Sequence, residues 1–175
     1  MRAFIAIDMP TAVAEELEKV QKQLSQISGL KAKFVEKENF HLTLKFLGEI
    51  SDVKVNQLKE KLKAVKLKPF KATLGKLGVF PSQQFIRVIW ISLEPEEKFK
   101  ELSMQINSLL GSKDERFESH VTLARVKMVE DKAELQNKLQ EVKFEKKGFE
   151  VQNFKLKQST LTLKGPLYED VLTFA

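Results

Sequence analysis

Apolar residues along this chain recur with two different spacings, and the two kinds of segment are interleaved. Alternating or continuous short apolar runs predict strands at 2–8, 33–35, 41–47, 70–79, 84–93, 119–127, 144–157, 160–163 and 168–174. Steps of three and four between apolar residues predict helices over 11–28, 51–65, 95–110 and 131–142. The segments are therefore mixed along the chain instead of being grouped by type.

Boundary residues support these segments and suggest how they connect. Ser51 is placed to cap the second helix, and Gly111 to end the third. Pro81-Ser82 and Gly165-Pro166 predict tight turns between consecutive strands. Strands joined both by short turns and by helices favour an α+β fold with largely antiparallel sheets. No linker interrupts residues 1–175, so we expect a single domain.

Composition and charge narrow the classes of function. The chain has no cysteine, which excludes disulfides, thiol nucleophiles and cysteine metal sites. It has no apolar run long enough for a membrane span and no signal-like start, so we expect a cytoplasmic protein without a membrane partner. The net charge of +6 favours an anionic partner such as nucleic acid, although a lysine-coated surface explains it equally well.

The two histidines of the chain lie in the same four-residue frame. His41 begins His-Leu-Thr-Leu and His120 begins His-Val-Thr-Leu. Because side chains alternate along a strand, each motif puts a histidine and a threonine on one face, roughly 6.5–7 Å apart. The leucines lie on the opposite face and anchor the strand to a core. The same alternation places Lys45 with His41, and Phe46 with the leucines.

Two imidazoles and two hydroxyls in one groove suit the hydrolysis of a phosphate ester. One imidazole takes a proton from the attacking water and the other protonates the leaving oxygen. The hydroxyls of Thr43 and Thr122 can donate to the phosphoryl oxygens. No cofactor and no metal is needed, and two histidines without a motif carboxylate make a poor ligand set, although zinc stays an alternative.

The flanking residues extend the likeness to a known superfamily. His41-Leu-Thr-Leu-Lys-Phe-Leu-Gly48 and His120-Val-Thr-Leu-Ala-Arg125 resemble the paired signatures of the two-histidine (2H) phosphoesterases. The likeness is strongest to the bacterial and archaeal RNA 2′,3′-cyclic phosphodiesterases, also called 2′-5′ RNA ligases. It continues through the opening strand 2–8, the hairpin around 78–90 and the closing strands 159–168.

This resemblance implies both a fold and a reaction. The expected fold is bilobal, with two antiparallel sheets lining a central cleft, helices outside, and one motif from each lobe. The expected reaction opens a terminal 2′,3′-cyclic phosphate to a 2′-phosphate, with His41 and His120 as the acid–base pair. Some members also join RNA ends through a 2′-5′ linkage without ATP. The implied partners are RNA ends, including tRNA-derived ones, and we expect the protein to be a monomer.

Other residues near the motifs have weaker signals. The resemblance suggests that Arg125 binds phosphate, but strict alternation puts it on the leucine face, so a local twist or a bulge is required. Phe46 is a candidate for stacking a base, although its alternation favours the core. The Tyr168 hydroxyl is placed to reach a ligand, but packing at a strand edge is the favoured role. Two alternatives stay open: a 2H enzyme acting on another cyclic nucleotide or a 2′-5′ oligonucleotide, and a non-catalytic RNA-binding protein.

Overall fold

The computed structural model describes residues 1–113 and 116–175. In chain order, its strands are β1 Arg2–Asp8, β2 Leu30–Phe34, β3 His41–Glu49, β4 Phe70–Pro81, β5 Ile86–Glu94, β6 His120–Val129, β7 Gly148–Val151, β8 Phe154–Thr162 and β9 Gly165–Phe174. Its α-helices are α1 Thr11–Ser25, α2 Asp52–Leu62, α3 Glu96–Leu110 and α4 Lys132–Glu141. A short 3-10 helix, Lys37–Asn39, precedes β3.

The strands form two antiparallel sheets, which confirms the predicted α+β class. One sheet has the order β3-β1-β8-β9 and the other the order β2-β6-β5-β4-β7. Each histidine motif begins a strand, β3 in the four-stranded sheet and β6 in the five-stranded sheet. These two motif strands also lie against each other where the sheets meet. The boundary between the sheets is therefore the place where the motifs come together.

Two helices connect the sheets by packing on the sheet that they did not come from. Helix α1 follows β1 of the four-stranded sheet but packs against β6 of the other, and α3 follows β5 but packs against β3. The apolar faces of both helices join one continuous core. Within the described part of the chain, no helix is long and apolar enough to cross a bilayer.

Capping residues in the sequence predict where two of the helices begin or end. The Ser51 hydroxyl accepts a hydrogen bond from the Lys54 amide at 3.2 Å, which caps α2 as predicted. Gly111 ends α3 with a φ of 69°, a conformation that glycine adopts without a steric penalty. The capping residues in the sequence therefore predict these two helix ends correctly.

The predicted strand over 144–157 is wrong, because the chain changes sheets within it. Residues 148–151 form β7, which pairs with β4, whereas β8 starts at Phe154 and pairs with β1. Hydrophobic periodicity cannot reveal this transfer, since residues on both sides of it face the same core. The predicted turn at Gly165-Pro166 is also shifted: both residues already belong to β9, and Leu163-Lys164 form the hairpin turn.

Candidate active site

Both histidine rings are held in the same way. The Nδ1 atom of His41 lies 2.7 Å from the Asn39 carbonyl oxygen, and that of His120 lies 2.9 Å from the Glu118 carbonyl oxygen. A carbonyl oxygen only accepts hydrogen bonds, so each Nδ1 carries the hydrogen. In the neutral form, each Nε2 is therefore left with its lone pair. Backbone two residues upstream thus fixes the tautomer in both motifs.

The cleft between the motif strands brings the predicted site residues together. His41, Thr43, His120 and Thr122 all line one cavity of about 200 Å³. Phe46 and Arg125 line the same cavity. The Nε2 atom of His41 lies 3.0 Å from the Thr43 hydroxyl oxygen, so this hydroxyl donates to the neutral imidazole. The six residues that the sequence selected therefore share one cleft.

A β-bulge in each motif strand explains how Phe46 and Arg125 reach the cleft. In β3, Thr43 pairs with Ala6 and Lys45 with Ile5, which makes Leu44 an extra residue. An extra residue reverses the alternation beyond it. Phe46 consequently turns to the cleft and is 72% exposed, whereas Lys45 is only 8% exposed. The prediction from strict alternation that Phe46 faces the core was therefore wrong. Lys45 is buried, although it lines the same cavity as His41.

The second motif strand has its bulge at the equivalent position. Thr122 pairs with Trp90 and Ala124 with Ile89, so Leu123 is the extra residue in β6. Both Leu123 and Ala124 are fully buried, and Arg125 turns outward into the cleft. The bulge that the sequence required for Arg125 is therefore present.

Each bulge carbonyl accepts a hydrogen bond from a helix that crosses from the other sheet. Ser103 of α3 donates its hydroxyl to the Leu44 carbonyl at 3.1 Å, and Gln21 of α1 donates to the Leu123 carbonyl at 2.9 Å. Both donor side chains are buried. The Leu123 carbonyl also accepts from the Val35 amide at 3.0 Å. Because unpaired buried carbonyls are destabilising, these donors stabilise the bulges that aim Phe46 and Arg125.

Aromatic rings and an ion cluster surround His41. The Phe4 and Tyr168 rings lie 5.1 Å and 5.3 Å from the imidazole, with Tyr168 edge-on at 90°. Asp8, the partner of His41 across the strand pair, accepts a hydrogen bond from buried Lys157 at 2.6 Å. The site therefore holds His41 between an aromatic wall and fixed charges.

The same ion cluster extends to two further side chains. Lys157 also pairs with Asp170 at 3.0 Å, and Lys155 lies 3.0 Å from Asp8 and 2.7 Å from Asp170. Two lysines and two aspartates thus alternate in a closed ring of ion pairs. Sharing each charge between two partners reduces the penalty for burying Lys157.

His120 has a different environment. The Phe80 ring meets it edge-on at 4.9 Å, and the Trp90 ring centre lies 6.2 Å away. Gly78 leaves the room for this tryptophan, since a Cβ at Gly78 would lie 2.2 Å from the Trp90 ring. Trp90 thus packs in the sheet, as expected, and also forms part of the wall beside His120.

Burial lowers the pKa of each imidazole below the usual value for histidine. At His41, the hydrogen bond to Asn39 opposes this effect, and Lys157 then lowers the pKa further while Asp8 raises it. At His120, the hydrogen bond to Glu118 and the negative charge of its carboxylate both oppose the burial effect. Both rings therefore favour the neutral form in the free protein. The charge that acts most strongly on the pKa is positive at His41 and negative at His120.

Potential metal ligands are sparse in the structure. Over residues 1–113 and 116–175, no three His, Asp or Glu side chains come close enough together to hold a metal ion. Each histidine Nδ1 is already bound to a backbone carbonyl, which leaves only the Nε2 atoms for other partners.

Comparison with known proteins identifies the family. The model of the family described as "LigT like Phosphoesterase" matches this chain twice, over residues 7–90 and 91–168. The chain belongs to the LigT-like phosphoesterase family. Each of the two matched stretches contains one histidine motif, and each motif begins one of the strands β3 and β6.

Curated relatives and solved structures cover nearly the whole chain. A Methanocaldococcus jannaschii protein is 40% identical over 97% of both chains, and an Archaeoglobus fulgidus protein is 37% identical over 99% of both. Both relatives are named RNA 2′,3′-cyclic phosphodiesterase. A Thermus thermophilus crystal structure superposes with a TM-score of 0.78 at 29% identity, covering 99% of this chain and 97% of that one. Apo LigT of E. coli, at 22% identity, shares the fold with a TM-score of 0.78, covering 99% and 96%.

Several residues of this LigT-like phosphoesterase site were missed by sequence reasoning. Tyr168 does not only pack at a strand edge, because it lines the cleft and contacts the His41 ring. Asp8 and Lys157 lie on β1 and β8, far from either motif in the chain. Alternation of charged with apolar residues in 155–157 was the available signal, since it puts both lysines on one face of β8.

Proposed function

We propose that this protein is an RNA 2′,3′-cyclic phosphodiesterase that opens a terminal cyclic phosphate to a 2′-phosphate. The observation that carries the proposal is the pair of similarly fixed imidazoles, His41 and His120, that line one cleft from two contacting strands. The two relatives at 37% and 40% identity that bear this name support it. A non-catalytic RNA-binding protein would not need two histidines held in this way.

In the proposed reaction, the oxygen of a water molecule bonds to phosphorus as the bond from phosphorus to the 3′ oxygen breaks. One neutral imidazole takes the proton of the water, and the other, protonated, gives a proton to the 3′ oxygen. The products are a 2′-phosphate and a 3′-hydroxyl. Because the cyclic phosphate is an anion, its binding raises the pKa of a nearby imidazole and favours the protonated acid.

We assign His41 as the base and His120 as the acid in the hydrolytic direction. Lys157 is a fixed cation near His41, which favours the neutral ring needed in a base. The carboxylate of Glu118 favours a proton on His120 instead. The assignment thus follows from the charges that accompany each motif.

The other predicted site residues act on the phosphate and the nucleotide in this proposal. On substrate binding the Thr43 hydroxyl turns from the His41 Nε2 atom, which frees that atom to act as the base. The Thr43 and Thr122 hydroxyls then donate to the non-bridging oxygens, and the Arg125 guanidinium neutralises their charge. Phe46, which is exposed in the cleft, stacks on a base. The phosphate is thereby held between hydroxyls and a cation while the imidazoles exchange protons.

We also propose a domain organisation, an oligomeric state and a class of substrate for the protein. We propose that residues 1–175 form one bilobal domain, since α1 and α3 each pack on the sheet of the opposite lobe. One chain supplies both histidines, which supports action as a monomer. RNA ends, including tRNA-derived ones, are the proposed substrates, and a cytoplasmic location stays a prediction.

The test offers the protein an RNA that ends in a 2′,3′-cyclic phosphate and identifies the phosphomonoester that forms. We expect a 2′-phosphate with the wild-type protein, and its formation at a rate roughly 10²–10⁴-fold lower with His41→Ala or His120→Ala under the same conditions. Formation of a 3′-phosphate would contradict the proposed direction of ring opening. RNA binding without any turnover would instead support the non-catalytic alternative.

A further inference from the structure

A second cavity opens directly beside the catalytic cleft. It has a volume of about 260 Å³ and lies between β2 of one sheet and the β8–β9 hairpin of the other. Val35, Asn39, Arg125 and Tyr168 line both cavities, so the two adjoin each other. We call the second cavity the hairpin pocket.

Contacts between the lobes hold the hairpin pocket in shape. The Asn39 amide donates to the Pro166 carbonyl at 3.1 Å, and the Lys33 ammonium donates to the Lys164 carbonyl at 3.5 Å. Asn39 also fixes the His41 ring through its own carbonyl. The wall of the pocket is therefore tied to the residue that orients the catalytic ring.

The chemistry of the hairpin pocket combines cations with exposed apolar surface. Lys33, Lys164 and Arg125 are its positive side chains, against the single carboxylate of Glu36. Leu161 also lines it and is 85% exposed, and the same hairpin exposes Leu163 and Leu167. Several exposed leucines on one hairpin indicate a binding surface. Cations beside apolar or aromatic platforms are the features that bind single-stranded nucleic acid.

The other outlet of the cleft lacks this charge. A shallow pocket beside His120 is lined by Phe80, Pro81, Arg116 and Glu118. Arg116 and Glu118 form an ion pair at 3.1 Å, so this outlet carries no net positive charge from them. A polyanionic chain leaving the cleft is therefore directed toward the hairpin pocket.

The size of the catalytic cleft shows why a second pocket is needed. At about 200 Å³, the cleft is smaller than the 300–1,000 Å³ typical of sites that enclose a drug-sized ligand. It therefore accommodates little beyond the terminal nucleotide. The rest of an RNA strand must lie outside the cleft.

We propose that the hairpin pocket binds the nucleotide that precedes the cyclic phosphate end, with Lys33 and Lys164 on the RNA backbone and Leu161 against a base. This inference rests on the proposed function, because it takes the cyclic phosphate to lie between the two histidines. It makes the protein selective for the end of an RNA chain over a free cyclic nucleotide.

The test compares two substrates that carry the same cyclic phosphate. One is a nucleoside 2′,3′-cyclic phosphate, and the other is a tetranucleotide that ends in the same nucleoside. The variant is Lys33→Ala/Lys164→Ala. The control is Lys76→Ala, which removes an exposed lysine from β4, three strands from β2 in the same sheet. The measurement is kcat/KM as a function of salt concentration.

For the tetranucleotide, we expect the double variant to lower kcat/KM by about tenfold, as the loss of two exposed ion contacts implies. The slope of log kcat/KM against log salt should fall by about 0.7 for each lost phosphate contact. For the mononucleotide, both quantities should match the wild type. Lys76→Ala should behave as wild type with both substrates.

Three results would overturn the inference. Equal kcat/KM for both substrates with the wild-type protein would show that no upstream nucleotide is bound. Equal losses on both substrates in the double variant would mean that the lysines act on the cleft itself. Turnover of neither substrate by the wild-type protein would contradict the proposed function, and the inference would fall with it.

Discussion

The two motif strands β3 and β6 repeat the same local design in different sheets. Each begins with a histidine held by a carbonyl two residues upstream, and each has its extra residue at the fourth motif position, Leu44 or Leu123. Each bulge is stabilised by a buried polar side chain from a helix that crosses from the other sheet. The repeated geometry delivers two equivalent Nε2 atoms to one cleft.

The surroundings of the two strands differ, and the difference lies in charge. His41 neighbours the ring of ion pairs formed by Asp8, Lys155, Lys157 and Asp170, and it also bonds Thr43. His120 neighbours Phe80 and Trp90, and the charge acting on it comes from Glu118. A repeated backbone thus gives similar positions, while residues outside the motifs give the two rings different charges nearby. The proposed division of acid and base roles rests on this difference.

The largest predicted effect removes either member of the pair. His41→Ala and His120→Ala should each lower kcat for a 2′,3′-cyclic phosphate by roughly 10²–10⁴-fold, the usual contribution of a positioned acid or base. Steady-state kinetics measure this effect, and an unchanged thermal unfolding midpoint serves as the control for folding. Near-wild-type turnover in either variant would contradict the proposal that both histidines are required.

Substitutions of Arg125 and Phe46, which the two bulges turn into the cleft, should have different kinetic effects. Arg125→Ala should lower kcat/KM by roughly 10- to 100-fold, because a charge-assisted contact to phosphate is lost. Phe46→Ala should raise KM by roughly fivefold or more with little change in kcat, because stacking on a base is lost. Arg125→Lys is the matched control that retains the charge. Identical kinetic changes in the Arg125→Ala and Phe46→Ala variants would contradict distinct roles for the two positions.

The smallest predicted effect concerns pH. Lys157 lowers the pKa of His41, so Lys157→Met should raise that pKa and move the acidic limb of the kcat/KM profile to higher pH. Activity below the limb should fall, because more of the base is protonated there. Lys155→Met is the control, since it breaks the same ion cluster and Lys155 is not among the charges that shift His41.

NMR titration measures the pKa of His41 and the pKa of His120 separately. In Lys157→Met, the pKa of His41 should rise while that of His120 stays constant. Equal movement of both would mean that the ion cluster does not distinguish the two motifs. An unchanged pKa of His41 would remove the physical basis for its role as the base.

The catalytic pair and most of the fold could be predicted from local sequence patterns. Periodicity located the four helices, and the repeated motif selected His41, Thr43, His120 and Thr122. Phe46 was oriented wrongly because one extra residue, Leu44, reverses the alternation. A bulge is stabilised by distant side chains such as Ser103 and Gln21, and strand periodicity does not contain that information.

The contacts made by long-range pairing could not be predicted for a related reason. Alternation puts the lysines of β8 on one face, but Lys157 meets Asp8 only because β8 pairs with β1. The change of sheet between β7 and β8 is equally invisible, since both strands bury apolar residues in one core. Tertiary context, and not local propensity, determined these features.

Replacing the 3′ leaving oxygen by sulfur tests the central claim most directly. A thiolate, with a pKa near that of Cys at about 8.5, leaves without prior protonation. We predict that a 3′-thio cyclic phosphate restores turnover to His120→Ala, the acid variant, while His41→Ala, the base variant, stays inactive. Recovery in neither variant, or equal recovery in both, would contradict an acid–base pair formed by His41 and His120.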